Sequence, residues 1–140
     1  MYKTFIEQNI SFIINSVANM LSSANPSIKN NADILIDLIM DTIDNVFLIQ
    51  PFAKLSQIAN VRSKANIIQR LCEIIPEVYK SKPGLVNTYV IPSLIYLIEE
   101  NKIEIKASVS KLIKTLYKMI GKSIFEFLPP SKHDKIKEFI

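Results

Sequence analysis

The sequence predicts an all-α solenoid of about three antiparallel helical hairpins followed by a short C-terminal helix. Three observations carry this reading. From residue 27 onward, apolar residues recur at spacings of three and four, the period of a helix, and strand-like alternation is nowhere sustained. The breaks fall at helix-ending or helix-starting signals: Asn25-Pro26, Lys82-Pro83-Gly84, Gly121 and Pro129-Pro130. Three of the segments also repeat one another, as set out below. At 140 residues, with 49% hydrophobic and 21% charged side chains, the chain can bury a core, so residues 1–140 read as a single domain.

Taken in order, the periodicity places helices at 3–22, 27–44, 48–58, 61–80, 85–100, 104–121 and 132–140. The first is richly apolar through Phe5, Ile6, Ile10, Ile13, Ile14 and Val17, with Phe12 on an adjoining face. A terminal solenoid unit normally has a polar outer face, so this helix is expected to leave an apolar end that asks for a neighbour. Asn25-Pro26 forms a break before the second helix. The fourth helix contains Pro76, which removes one backbone hydrogen bond and should kink it. Gly121 ends the sixth, and Pro129-Pro130 precede the last.

Laying the second, fourth and sixth helices over one another aligns Ile28-Lys29, Val61-Arg62 and Ile105-Lys106. Ala32, Ala65 and Val109 then coincide, followed by Leu35, Ile68 and Leu112, and by Ile39, Cys72 and Leu116. The spacings of 33 and 44 residues suit stacked helical hairpins, with pairs 3–22 with 27–44, 48–58 with 61–80, and 85–100 with 104–121. A cation in the first turn of a helix opposes the partial positive charge there, so its threefold recurrence needs a reason. If the turns inside the hairpins share one edge of the solenoid, Lys29, Arg62 with Lys64, and Lys106 form a basic ridge facing an acidic partner. Arg62 has a competing role as a scaffold cation bonded to the neighbouring unit. Lys64 has no counterpart in this register and is the cleaner contact residue.

Charge supports the same direction. Residues 1–60 carry −2 and residues 61–140 carry +6, for a net charge of +4. Lys111, Lys114, Lys118 and Lys122 form a stripe that reads as a solvated face or as a surface for anionic lipid or a partner helix. Asp33, Asp37, Asp41 and Asp44 stand in a row rather than converging, so no metal site is expected, and no cofactor either. The two glycines support no phosphate-binding loop. Cys72, the single cysteine, excludes an internal disulfide and reads as a packed core thiol. His133 reads as an exposed residue of a polar connection. No nucleophile motif accompanies it, and the expectation is a non-catalytic protein. Basic residues are not interleaved with exposed rings, which disfavours nucleic acid as a partner. No convincing signal peptide or membrane span is visible, so a soluble intracellular chain is expected, with no membrane partner.

Aliphatic, cation, two residues, small residue is the pattern of the second helix of HEAT repeats. More narrowly, the chain resembles the second half of a TOG domain, most similar to the Crescerin group, the TOG array regulators of axonemal microtubules. The residues carrying this are "LIQPF" at Leu48–Phe52, "NVRSK" at Asn60–Lys64, "VYKSKP" at Val78–Pro83, "VIPSLIYLI" at Val90–Ile98, "LYKMIG" at Leu116–Gly121, and the closing "PPSKHDKIKEFI". The resemblance runs from about residue 25 to the end. It implies tubulin or the microtubule lattice as partner, a cytoskeletal setting in a cilium or flagellum, and contact through the turns inside the hairpins. By position these are Asn25, Ser27 and Lys29 in the first turn, Asn60, Arg62 and Lys64 in the second, and Asn101, Lys102 and Lys106 in the third. A full TOG domain has six hairpins and an aromatic anchor, often Trp, in its first turn. This chain matches three hairpins and contains no Trp. The alternative is therefore a scaffold or adaptor that binds another axonemal protein, or the missing half of the TOG domain, rather than tubulin.

Overall fold

The computed structural model describes residues 4, 5 and 8–140, with the side chain of Arg62 excepted. Among the described residues the regular structure is entirely helical, as an all-α helical-repeat solenoid requires. Helices α1 (Ile10–Leu21) and α2 (Pro26–Thr42) form the first hairpin, and α3 (Asn45–Ile58) and α4 (Val61–Ser81) the second. The third pairs α5 (83–97) with α6 (Ile103–Ile120); within α5 a π-helical turn, Val86–Val90, joins Pro83–Leu85 to Ile91–Leu97. A 3₁₀ segment, Gly121–Phe127, leads into α7 (Pro130–Phe139).

The first helices of the hairpins stack in sequence, α1 on α3 and α3 on α5, while α4 packs broadly on α6. One continuous apolar core runs from Ile10 to Ile136 and passes through Phe52, Leu71, Leu94 and Leu112, all inaccessible to solvent. α4 lies at its centre. Ile67, Ile68, Leu71, Ile74, Ile75 and Val78 of that helix are buried, and it runs unbroken past Pro76 to Ser81.

Several boundaries move for identifiable reasons. Asp44 caps α3 by accepting from the Val46 N–H at 3.1 Å, so this helix opens at Asn45 rather than 48 and α2 stops at Thr42. Pro83 begins α5 two residues early, which fits the preference of proline for a first helical position. Gly121 ends α6 with φ 70° and ψ −151°, a conformation open almost only to glycine. The connection after it is an ordered 3₁₀ turn that buries Ile124. His133 corrects the expectation of an exposed residue: it is half-buried, with a ring nitrogen 3.0 Å from the Leu128 carbonyl and the Phe125 ring edge-on at 5.2 Å.

The repeat register also shifts. The second helices of the hairpins follow the helix starts Asn25, Asn60 and Lys102, which places Ala32, Ile67 and Val109 in one position. Ile36, Leu71 and Ile113 fall in the next, then Ile39, Ile74 and Leu116, and every member of these three sets is buried. The register inferred from sequence put Leu35 in the core, yet Leu35 is 38% exposed. Spacings of 35 and 42 residues between cap positions replace 33 and 44.

Candidate protein-binding edge

In the corrected register the recurring first-turn cations are Lys29, Lys64 and Lys106. Each donates its backbone N–H to the carbonyl of its helix-cap residue, Asn25, Asn60 and Lys102, at 3.1, 2.8 and 2.9 Å. Lys64 therefore has counterparts in both other hairpins, and Arg62, the second residue of α4, has none in this register. The position explains the cation. A helical side chain leans toward the helix N-terminus, so a long one at this place reaches back over the cap to the end of the preceding antiparallel helix. Lys64 does this: its Nζ donates to the Gln57 carbonyl at 3.3 Å, in the last turn of α3. There it meets unpaired carbonyls and the negative end of the α3 dipole, which outweighs the mismatch with its own helix.

Lys64 is consequently not the free contact residue that the sequence suggested. It is 7% exposed, stands 3.9 Å from the Glu100 carboxylate and lies 5.8 Å from the centre of the Tyr96 ring. Asn60 is likewise engaged: its carboxamide oxygen caps α4 through the Ser63 N–H at 3.3 Å and accepts from the Ser22 hydroxyl at 2.8 Å. Asn25 caps α2 through the Ser27 N–H at 2.9 Å. Lys29, Asn101, Lys102 and Lys106 are exposed, as are Asn25 and Ser27.

These contacts also place the three turns together. Ser22 to Asn60 ties the first turn to the second, and Lys64 to Glu100 ties the second to the third. Two hollows mark the seams. One of about 340 Å³ between the first two turns is lined by Asn15, Asn19, Ser22, Asn60 and Ser63, with Ile58 at its rim. The other, about 640 Å³, is lined by Gln57, Pro92, Tyr96, Glu99, Glu100 and Asn101.

The edge is less uniformly basic than the sequence suggested. The third turn carries Glu99, Glu100 and Glu104 beside Lys102 and Lys106. Lys132 and Lys135 of α7 both donate to Glu99, and these hydrogen bonds, Lys132 first, hold its carboxyl down at about 2. Three exposed apolar side chains were not singled out from sequence: Ile58 at 75%, Ile103 at 83% and Tyr96 at 58% exposure. Ile58 and Ile103 stand beside turn boundaries, where the only signal is an aliphatic residue next to a helix cap.

Other candidate groups resolve into structure. Asp33 and Asp37 of the acidic row turn toward α4 and meet Arg70, whose Nη2 lies 3.0 Å from Asp33 and whose Nη1 bonds Asp37. Arg70, 7% exposed, is thus the scaffold cation that Arg62 was a candidate to be. Cys72 is buried, and burial first of all pushes its thiol up to about 11, so it is not poised as a nucleophile. Among the described residues, no group of three or more His, Cys, Asp or Glu converges on a metal-sized site, and no helix is long and apolar enough to cross a membrane.

No protein-family model matches the chain. Curated relatives do. The mouse TOG array regulator of axonemal microtubules protein 1 is 28% identical over 133 residues, covering 85% of this chain and 8% of the relative. Its human counterpart is 27% identical over 117 residues, 77% of this chain and 7% of the relative. The Crescerin-like protein che-12 of Caenorhabditis elegans is 28% identical over 134 residues, 91% of this chain and 10% of the relative. The chain thus spans a tenth or less of the length of the relatives it matches. Over most of its length its homologues are TOG array regulators of axonemal microtubules, the Crescerin group that its motifs resemble.

Proposed function

We propose that the chain is a non-catalytic, HEAT-type module that binds tubulin or the microtubule lattice through the edge formed by its three intra-hairpin turns. The carrying observation is the coupling of those turns by Ser22–Asn60 and Lys64–Glu100 into one surface. Its exposed cations are Lys29, Lys102 and Lys106, and Ile58 and Ile103 supply apolar contact beside them. The relatives are named as regulators of axonemal microtubules, which supports a microtubule-associated role in a cilium or the wider cytoskeleton. Asn25, Ser27, Asn60 and Lys64 shape the turns; Lys29, Asn101, Lys102 and Lys106 meet the partner, with Arg62 at the start of α4. In this reading residues 1–140 form a single unit equivalent to half of a TOG domain.

The test is microtubule co-sedimentation at low and physiological salt. Reversing Lys64 would place a carboxylate beside Glu100, so the informative variant is Lys29→Glu/Lys102→Glu/Lys106→Glu. Wild-type chain should pellet with microtubules and release as salt rises, because exposed charges are screened. The triple variant should keep its helical circular dichroism and bind roughly tenfold more weakly or worse. Unchanged affinity would remove the edge from consideration.

A second reading, a scaffold for another axonemal protein or for further helical repeats, is favoured by a different observation. α2 packs chiefly on α1 and exposes Ile34 at 64%, Leu38 at 59% and Ile28 at 42%. Binding through that face would be insensitive to salt and to the triple reversal.

A further inference from the structure

The chain's net charge is concentrated on one helix. Residues 103–122 hold five lysines against one glutamate, a surplus of +4 that equals the net charge of all 140 residues. The rest of the molecule is therefore balanced, and long-range attraction for an anionic partner originates at α6 and the glycine-ended turn that follows it.

Along the outer face of α6, Lys111, Lys114 and Lys118 are exposed, as is Lys122 in the 3₁₀ turn that follows, and among the described residues none forms an ion pair. The three on α6 follow at intervals of three and four residues, so their row spans roughly 10 Å with neighbouring Cβ atoms about 5–6 Å apart. It is more than a solvated stripe, because it borders a groove of about 360 Å³ lined by Ala107, Ser110, Lys111, Lys114, Thr115 and Lys118. One wall is ordered: the Lys111 ammonium donates to Gln69 Oε1 of α4 at 2.7 Å, and the Thr115 hydroxyl donates to the Lys111 carbonyl at 2.9 Å. Ala107 and Ser110 carry too little bulk to keep a second backbone away. The nearby acid is Glu73 of α4, whose carboxylate accepts from Gln69 at 3.4 Å.

We infer that this groove is a docking site for an acidic, glutamate- or aspartate-rich peptide in extended conformation, separate from the turn edge. In an extended chain alternate side chains stand about 6.6–6.8 Å apart on one face, a spacing that flexible lysine side chains rooted about 5–6 Å apart can follow. Two other polyanions fit less well. A membrane surface would be met by a helix with large apolar side chains flanking its lysines, and the groove offers Ala, Ser and Thr there. Single-stranded nucleic acid would use exposed rings for stacking, and no aromatic side chain lines the groove. This inference does not rest on tubulin binding by the turns.

The experiment is fluorescence anisotropy of a labelled ten-residue poly-glutamate peptide titrated with the full chain at about 50 and 150 mM salt. A poly-glutamine peptide, a poly-dT oligonucleotide and phosphatidylserine vesicles serve as comparison ligands. Two variants with the same change in net charge are compared: Lys114→Glu/Lys118→Glu on the groove and Lys29→Glu/Lys102→Glu on the turn edge. Docking in the groove predicts salt-sensitive binding of poly-glutamate alone, weakened about tenfold or more by the groove variant and less than about threefold by the edge variant. Lys114→Gln/Lys118→Gln should give an intermediate loss. Equal loss in both variants would reduce the effect to net charge and overturn the site. Absence of peptide binding, or tighter binding of the oligonucleotide or vesicles through the same lysines, would overturn the peptide as ligand.

Discussion

A lysine four residues past a helix cap is misplaced only when its helix is considered alone. Lys64 resolves this by bonding the Gln57 carbonyl of the preceding helix, and the same reach explains how one side chain joins two turns. Arg70 shows the converse. It occupies a register position filled by Leu35 and Leu112 in the other hairpins, and its guanidinium is spread over Asp33, Asp37 and Asn66. Asn66 also donates to Asp33 at 2.8 Å, so one network carries the polar contact between α2 and α4. Arg70→Ala removes every bond of this network except the direct Asn66–Asp33 one, and leaves Asp33, Asp37 and Asn66 each short of a partner. The expected cost is roughly 2 kcal/mol, moderated by the partial exposure of Asp33, with a fall in Tm of about 5–10 °C. Arg70→Lys should recover little, because the compact ammonium lacks the planar fork that reaches Asn66, Asp33 and Asp37 from three separate nitrogens. Thermal unfolding by circular dichroism decides it, and a Tm within about 1 °C of wild type would show that the network is ornamental. The cation itself was visible in "IIQRLCEII" as a charge inside an apolar run. Its partners were not, because side chains 33 and 37 residues earlier are brought near only by stacking of the hairpins.

At the scale of elements, helix number and order were legible in the spacing of apolar residues, because each second helix buries a stripe seven, eleven and fourteen residues after its cap. The register between repeats was less legible. Aligning on Val61-Arg62 instead of Asn60 moves the comparison by two residues, and aliphatic residues are frequent enough to match in the wrong frame. The turns inside the hairpins were legible as breaks in the apolar spacing, whereas which of their side chains are free required knowing that Lys64 points into the seam. α7 is the element whose attachment is most electrostatic. It is anchored by Ile136 in the core, by the His133 contacts with Leu128 and Phe125, and by Lys132 and Lys135 on Glu99. Because the Glu99 carboxyl is held at about 2, below the ordinary 4.5, the clamp is fully present above about pH 4.5 and is lost as pH falls toward 2. The Ile136 methyl and His133 ring signals in NMR spectra should therefore shift across that window. In Glu99→Gln, that part of the acid response should be absent and the clamp already weakened at neutral pH. Identical acid titrations of the two proteins would dissociate α7 docking from Glu99. The clamp is exposed, so a modest effect confined to α7 is expected rather than global unfolding.

Stability across the whole molecule follows the stacking. A solenoid holds each unit mainly through its neighbours, so an element with one packed face opens before an element packed on several. α2 buries Ala32, Ile36 and Ile39, packs chiefly on α1, and reaches α4 through the Arg70 network. α4 lies against α1, α3, α5 and α6 and carries a continuous file of inaccessible Ile and Leu side chains from Ile67 to Ile75. Native-state hydrogen exchange should therefore show amides in the middle of α2 exchanging at least about tenfold faster than those in the middle of α4, with α6 close to α4. Arg70→Ala should widen the difference by loosening α2 selectively, whereas the groove variant Lys114→Glu/Lys118→Glu should leave it unchanged. Equal exchange in α2 and α4 would mean that the three hairpins open as one cooperative body. The gradient also bears on binding. The turn edge is bolted through Lys64 to the protected second and third hairpins, so Lys102 and Lys106 are presented on rigid structure. Lys29, on the first hairpin, rides on the element that opens most readily.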